Sequence, residues 1–326
     1  MTDHDAFLRE ILAHPDDDGP RLIYADWLEE RGDPRGEFIR VQCALTTLSK
    51  MDVRRPDLEE RQRQLLAEHQ TKWLATLNPE RLAPSRPFIP FERGFLGSRV
   101  STSPTHYLRF TDLWSCWAIR QNLELWRRLG DEEPPAGVAD YARLAASPLL
   151  ERWVSLHFPE QELDSDCFQA LITSPGLTRL RELDVFETPI GAEGVRALTS
   201  TPHLTELTKL YLNTIEGGDG GAEALAASPH LGSLATLGYL ANGMTDQGAA
   251  ALANSPHLVN LKVLDLNGNP IGDAGAAALA ESRYLNCLNE LYLHGTNISE
   301  RGEERLVIRF GNGVQVSRFA PYEGFE

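Results

Sequence analysis

With 47 acidic against 31 basic residues among 326, and a net charge of −16, the chain lacks the basic footprint that nucleic acid or an anionic membrane demands. No apolar run approaches the roughly 18 residues of a membrane span, and the acidic Met-Thr-Asp-His-Asp start has no apolar signal core, so a cytoplasmic location is expected. Four scattered cysteines (Cys43, Cys116, Cys167, Cys287) form no CxxC pair and suit a reducing compartment better than disulfides or zinc.

Residues 1–80 read as helical. Phe7, Leu8, Ile11 and Leu12 share one face of a first helix, capped by Thr2 or Asp3, and His14 to Pro20 is a turn. Leu22, Ile23, Trp27 and Leu28 mark a second helix that stops at Gly32-Asp-Pro34. A third, from about Arg35, buries Phe38, Val41 and Leu45, and a longer one from Pro56 carries Leu58, Leu65, Leu66, Trp73 and Leu77. Residues 81–125 change character: a short strand from Gly94 to Val100, a helix from Thr105 to Trp117, and a strand from Ile119 to Leu125.

From Trp153 the chain repeats every 27 residues, in six units beginning at Trp153, Leu180, Leu207, Leu234, Leu261 and Leu288. Leucine fills the fourth position of every unit (Leu156, Leu183, Leu210, Leu237, Leu264, Leu291) and the nineteenth (Leu171, Leu198, Leu225, Leu252, Leu279, Leu306). Glycine fills the fifteenth in five of six (Gly194, Gly221, Gly248, Gly275, Gly302). Each unit reads as strand, turn and helix. In Leu261 to Leu266 the leucines alternate with outward residues, Asn267-Gly-Asn-Pro270 is turn chemistry, and Ala274 to Ala280 favours a helix with Asp273 placed to cap it. Ser-Pro pairs such as Ser174-Pro175, Ser228-Pro229 and Ser255-Pro256 close the helices. No such unit hides its own apolar face, but a stack does.

The pattern LxxLxLxxN-x-I-G-x-x-G-x-x-x-L, clearest from Leu261 to Leu279, resembles the ribonuclease-inhibitor type of leucine-rich repeat. The resemblance implies an α/β solenoid: a horseshoe with a parallel sheet on its concave face and helices on its convex face. It also implies an asparagine ladder between repeats. Here only Asn242 and Asn269 keep that asparagine. Gln161, Thr188 and Thr296 replace it and Ile215 breaks the column, which predicts a third repeat loosened around Gly217 to Gly221. The stretch from Phe7 through Asp16-Asp-Asp-Gly-Pro and Trp27 to Ile39 is similar to a bacterial repeat-companion domain, a module found ahead of leucine-rich repeats. That resemblance implies an N-terminal α-helical cap domain rather than an activity. The expected organisation is a companion domain over 1–80, a β/α cap of the solenoid over 81–125, repeats over 126–310, and an edge strand and tail over 311–326.

No motif carries catalytic or metal chemistry. Asp16, Asp17 and Asp18 lack the alternate spacing and distant Glu of a calcium loop and read as a turn and helix cap. The charges around Trp27 read as ion pairs on solvated helices. His203, His230 and His257 recur at the helix ends and read as partners of last-turn carbonyls rather than ligands. No nucleophile elbow or phosphate loop is present, so no catalytic residue, metal or cofactor is assigned.

The residues between the strand leucines are the informative ones, because alternation turns them outward on the concave face. Glu182, Asp184, Phe186, Lys209, Tyr211, Leu240, Asp265, Asn267, Glu290, Tyr292 and His294 place aromatic and apolar groups among carboxylates, as at an interface centre with an acidic rim. The expected function is a non-catalytic scaffold that binds a protein or peptide with basic and apolar features. The repeat type also resembles activators of small GTPases, which makes regulation of a GTPase the alternative.

Overall fold

A computed structural model describes residues 3–14, 17–75, 91–93, 95–96, 99–102, 104–109, 121–125, 136–159 and 163–315. The chain forms two compact units, one comprising residues 1–100 with 109–121, the other 101–108 with 122–326.

In the first unit, α1 (Asp3–Ala13), α2 (Gly19–Glu29), α3 (Arg35–Thr47) and α4 (Arg55–Ala75) follow the apolar spacing. Ile11, Tyr24, Ala25, Leu28, Ile39 and Cys43 form one core with Phe95 of a small hairpin, β1 (Phe91–Glu92) and β2 (Phe95–Leu96). Phe38, Val41, Leu65 and Trp73 form a second. The tight link between α2 and α3 turns at Gly32, whose φ of +68° suits glycine, and Asp33 Oδ1 accepts the Arg35 N–H at 2.9 Å. Of the acidic run, Asp17 caps Gly19 at 2.8 Å, while Asp18 turns inward, 3.4 Å from Arg93 and 3.9 Å from the buried Arg21. Asp16 and Leu77 lie outside the described residues. The charges around Trp27 pair between helices, Arg40 with Glu29 and Asp26, and Arg61 with both carboxylate oxygens of Glu37 at 2.6 and 2.7 Å.

The second unit is the repeat stack. Strands β3 (Arg99–Thr102), β4 (Gln121–Leu125), β5 (Trp153–Pro159), β6 (Glu182–Phe186), β7 (Lys209–Asn213), β8 (Thr236–Gly238), β9 (Val263–Asp265), β10 (Glu290–Tyr292) and β11 (Val314–Gln315) lie in sequence order in one open sheet. From β5 to β11 the pairing is parallel, with equivalent residues of successive repeats in register. Each strand from β4 to β10 is followed by a helix: α6 (Val138–Ala145) before β5, then α7 (Ser165–Ile172), α8 (Gly191–Thr199), α9 (Gly218–Ala227), α10 (Asp246–Ala253), α11 (Asp273–Ala280) and α12 (Glu300–Phe310). Consecutive helices pack on one another. Between the layers both leucine columns are buried throughout, each residue worth about 1.5–3 kcal/mol relative to exposure in water. Near the start of the unit, α5 (Pro104–Arg109) brings the Tyr107 hydroxyl 3.0 Å from the buried Trp153 indole nitrogen.

Three polar ladders stitch the repeats. Asn242 Nδ2 donates to the Leu212 carbonyl at 2.7 Å while its Oδ1 accepts from Ile215 and Gly217 N–H. Asn269 repeats this one unit on, donating to the Tyr239 carbonyl and accepting from Asn242 and Met244. On the helix side, Ser174, Ser228, Ser255 and Ser282 donate their hydroxyls to the last-turn carbonyls of Ala145, Thr199, Ala226 and Ala253, each one repeat back. Serine therefore does what was expected of His203, His230 and His257, because its short hydroxyl reaches a carbonyl directly beneath it.

The third ladder corrects another expectation. Asp273 is the first residue of α11, not its cap, and its carboxylate serves the next helix by accepting the Ser299 N–H at 2.8 Å and hydroxyl at 2.6 Å. Asp219 likewise accepts from Thr245 and Gly248 N–H, and Asp246 from Gly272 and Gly275. This contributes to three positions of the glycine column. A Cβ on Gly248, Gly275 or Gly302 would stand 2.7, 2.7 or 2.4 Å from the incoming aspartate oxygen.

The third repeat is not loosened. Its helix α9 spans ten residues, and Ile215, though it lacks a polar side chain, is fully buried with its N–H met by Asn242. The glycines there have a packing cause: buried Tyr239 fills a column that holds leucine in three of the six repeats, and its hydroxyl donates to the Gly218 carbonyl at 2.9 Å. A Cβ on Gly217 or Gly221 would lie 2.0 or 2.2 Å from that oxygen.

Two measurements follow. Gly221→Ala should cost about 1–3 kcal/mol by overpacking, and less in a Tyr239→Leu background, as a double-mutant cycle by urea unfolding would read. The Ser299 hydroxyl, then its N–H, hold the Asp273 carboxyl below its ordinary range. That contribution is complete above about pH 4, the unfolded range, and is lost as pH falls through the depressed folded value. Asp273→Asn should therefore be less stable than wild type at neutral pH, the difference shrinking in acid.

Candidate protein-interaction face

Strand alternation puts the leucines inward and displays the residues between them in rows. The register sets His157, Asp184, Tyr211, Gly238, Asp265 and Tyr292 side by side, with Gln315 next. Two residues earlier, on the same face, lie Ser155, Glu182, Lys209, Thr236, Val263 and Glu290. Lys209 and Glu290 are exposed, and Glu182, Asp184, Phe186, Tyr211, Asp265, Asn267, Tyr292 and His294 are half-buried.

Leu240 departs from the expected display: only 8% of it is accessible, so it belongs to the core. Strand β8 ends at Gly238 and the chain then turns inward, which breaks the alternation on which its outward assignment relied. Asn267 is half-buried but engaged, its Oδ1 accepting the His294 N–H at 2.6 Å, and Asn213 does the same for Leu240 at 3.1 Å. The signal was present in the sequence as two asparagines at one column, two repeats apart.

Charge is unevenly satisfied along the face. In the N-terminal half, Lys209 Nζ lies 3.6 Å from Glu182 and His157 Nδ1 lies 3.5 Å from Asp184. In the C-terminal half, Asp265 and Glu290 have no basic group at ion-pairing distance among the described residues. Asp265 Oδ1 accepts the Asn267 N–H at 3.0 Å, yet burial outweighs this and pushes its carboxyl above the ordinary range. The Tyr292 hydroxyl donates to Glu290 Oε2 at 2.6 Å, which together with burial raises the phenol. Burial, then Glu182, Asp184 and Asp265, raise Tyr211.

Ser155, His157 and Asp184 form a hydrogen-bonded chain, the serine hydroxyl on His157 Nε2 and the carboxylate facing Nδ1. The order of groups is that of a serine hydrolase, but a nucleophile needs access and donors for an oxyanion. Ser155 is 5% accessible and sits mid-strand in β5, between β4 and β6, where backbone N–H groups serve the ladder. The chain of groups therefore orients His157. On the helix side, a shallow hollow lined by Gln169, Thr173, Glu193, Arg196, Ser200 and Thr201 offers no free cation, because Glu193 holds Arg196 through two hydrogen bonds. Burial first, then Asp18, pushes the Cys43 thiol up to about 12, so it is inert as a nucleophile.

Residues 176–198 and 257–280 match the family model described as Leucine Rich repeat. Together with the 27-residue period and the stacked strand–helix units, these matches show that the chain contains leucine-rich repeats. Among solved structures, it is similar to an internalin from Listeria monocytogenes (18% identity, 68% of this chain and 72% of that one, TM-score 0.34). It is also similar to a protein from Bacteroides fragilis (15% identity, 82% and 85%, TM-score 0.41) and to TLR13 in its complex with ssRNA13 (16% identity, 60% and 32%, TM-score 0.32). No curated protein matches its sequence. Among the described residues no helix is long and apolar enough to cross a membrane.

The burial of Leu240 makes a measurable distinction. Leu240→Ala should destabilise the protein by about 2–4 kcal/mol, as a core truncation does, whereas Lys209→Ala on the same face should change urea-unfolding stability by less than about 1 kcal/mol.

Proposed function

We propose that the protein is a non-catalytic interaction scaffold whose concave face binds a protein or peptide segment rich in basic and apolar side chains. The observation that carries this is the pairing of half-buried Tyr211, Tyr292 and Phe186 with carboxylates on a face built of regular strands. Aromatic rings supply contact area at low entropic cost, and unpaired carboxylates select a basic partner. Glu182, Asp184, Lys209, Asp265, Glu290 and His294 form the polar surround, and Asn267 steadies the loop edge. The same acidity argues against nucleic acid and anionic membrane as ligands. The scaffold reading places the protein in the bacterial cytoplasm, with residues 1–80 as a companion module of architectural role.

Combined Tyr211→Ala and Tyr292→Ala, with the fold checked by circular dichroism, should abolish partner capture from native cytoplasm. Capture unchanged by the double substitution sinks the proposal.

A further inference from the structure

This inference rests on the concave-face reading and names what one part of that face takes. The acidic excess is local. Glu182 and Asp184 lie within ion-pairing distance of Lys209 and His157, whereas Asp265 and Glu290 have no ion pair among the described residues, and only His294, beyond ion-pairing distance, acts on Asp265. Asp265 lies in the row between two aromatic residues, with Tyr292 beside it on β10 and Gly238 then Tyr211 on the other side. Strands about 4.8 Å apart put Tyr211 and Tyr292 some three spacings, about 14 Å, from each other along the sheet.

Tyr292 is tied along its own strand by the bond to Glu290. Tyr211 leans across β8, where a Cβ on Gly238 would fall 2.9 Å from Tyr211 Cδ1. Gly238 is buried beneath that ring, so the slot between the two tyrosines has the Asp265 carboxylate as its floor. Asp265 Oδ1 is engaged by Asn267, and no donor among the described residues meets Oδ2. His294 Nδ1, near this carboxylate in the next repeat, is buried without a hydrogen-bond partner.

We propose that this slot takes the guanidinium of an arginine from the bound segment, lying against a flanking tyrosine ring and donating to Asp265 Oδ2. Guanidinium fits better than ammonium for three reasons. It is planar and stacks on aromatic faces, it loses less hydration on entering a half-buried site, and its fork donates to a carboxylate in a fixed geometry. Burial already raises the Asp265 carboxyl, and an arriving cation would reverse that.

The probe is an acetylated, amidated peptide of alternating glycine and arginine, with lysine and citrulline counterparts, titrated into the full chain by calorimetry. The arginine peptide should bind about tenfold tighter than the lysine peptide, a difference of the size that cation–aromatic contact supplies. Asp265→Asn should weaken it by about tenfold or more, and Glu182→Gln by clearly less. Equal binding of arginine and lysine peptides, equal losses from the two substitutions, or no binding to wild type would overturn the slot. Arginine-peptide binding that survives Asp265→Asn but not Tyr211→Ala with Tyr292→Ala would overturn the slot while leaving the concave-face reading intact. Binding indifferent to all of these substitutions would overturn both.

Discussion

No repeat in this chain completes its own hydrogen bonding. The last-turn carbonyl of one helix waits for a serine one repeat on, and the first N–H groups of the next helix wait for an aspartate one repeat back. Loop N–H groups of the third repeat wait for Asn242 of the fourth. An unmade bond to a buried backbone group costs about 1–3 kcal/mol, so a repeat without its neighbour loses polar as well as apolar stabilisation. The stack is therefore held at two levels by the same spacing, leucine against leucine in the interior and side chain to backbone at the rims.

That spacing is what makes a usable surface. Because every strand is pinned to the next in register, the residues between the leucines cannot drift, and a row such as Asp184, Tyr211, Gly238, Asp265 and Tyr292 holds fixed separations. Such an array is preorganised, and the ordering cost of any binding to it is correspondingly smaller. The face also divides by charge. In its N-terminal half Glu182 and Asp184 lie beside Lys209 and His157, whereas in its C-terminal half Asp265 and Glu290 have no ion-pair partner among the described residues.

Periodicity made the interior legible. Leucines recurring every 27 residues have one cheap explanation, and the buried columns follow it without exception. Legibility stopped where a residue acts on a different repeat. The glycine column is readable as a column but not as room for the aspartate of the preceding helix, and Gly217 and Gly221 look like a loose loop until Tyr239 is seen beneath them. The serines beside the turn prolines read as helix stops, although their hydroxyls are the rungs. Leu240 was misassigned because alternation was carried two residues past the end of a three-residue strand. Among the candidate face residues, identity and side were readable from the pattern, but Asn267 looked displayed when its amide is committed to His294.

By itself the sequence determined the period, the class of unit, and which residues must be hidden, since an apolar side chain at a fixed phase has only the stack in which to escape water. Only the tertiary structure decided which polar groups are already satisfied. A carboxylate is free or occupied according to neighbours 26 to 29 residues away, and the distance between them exists only once one repeat lies on the next.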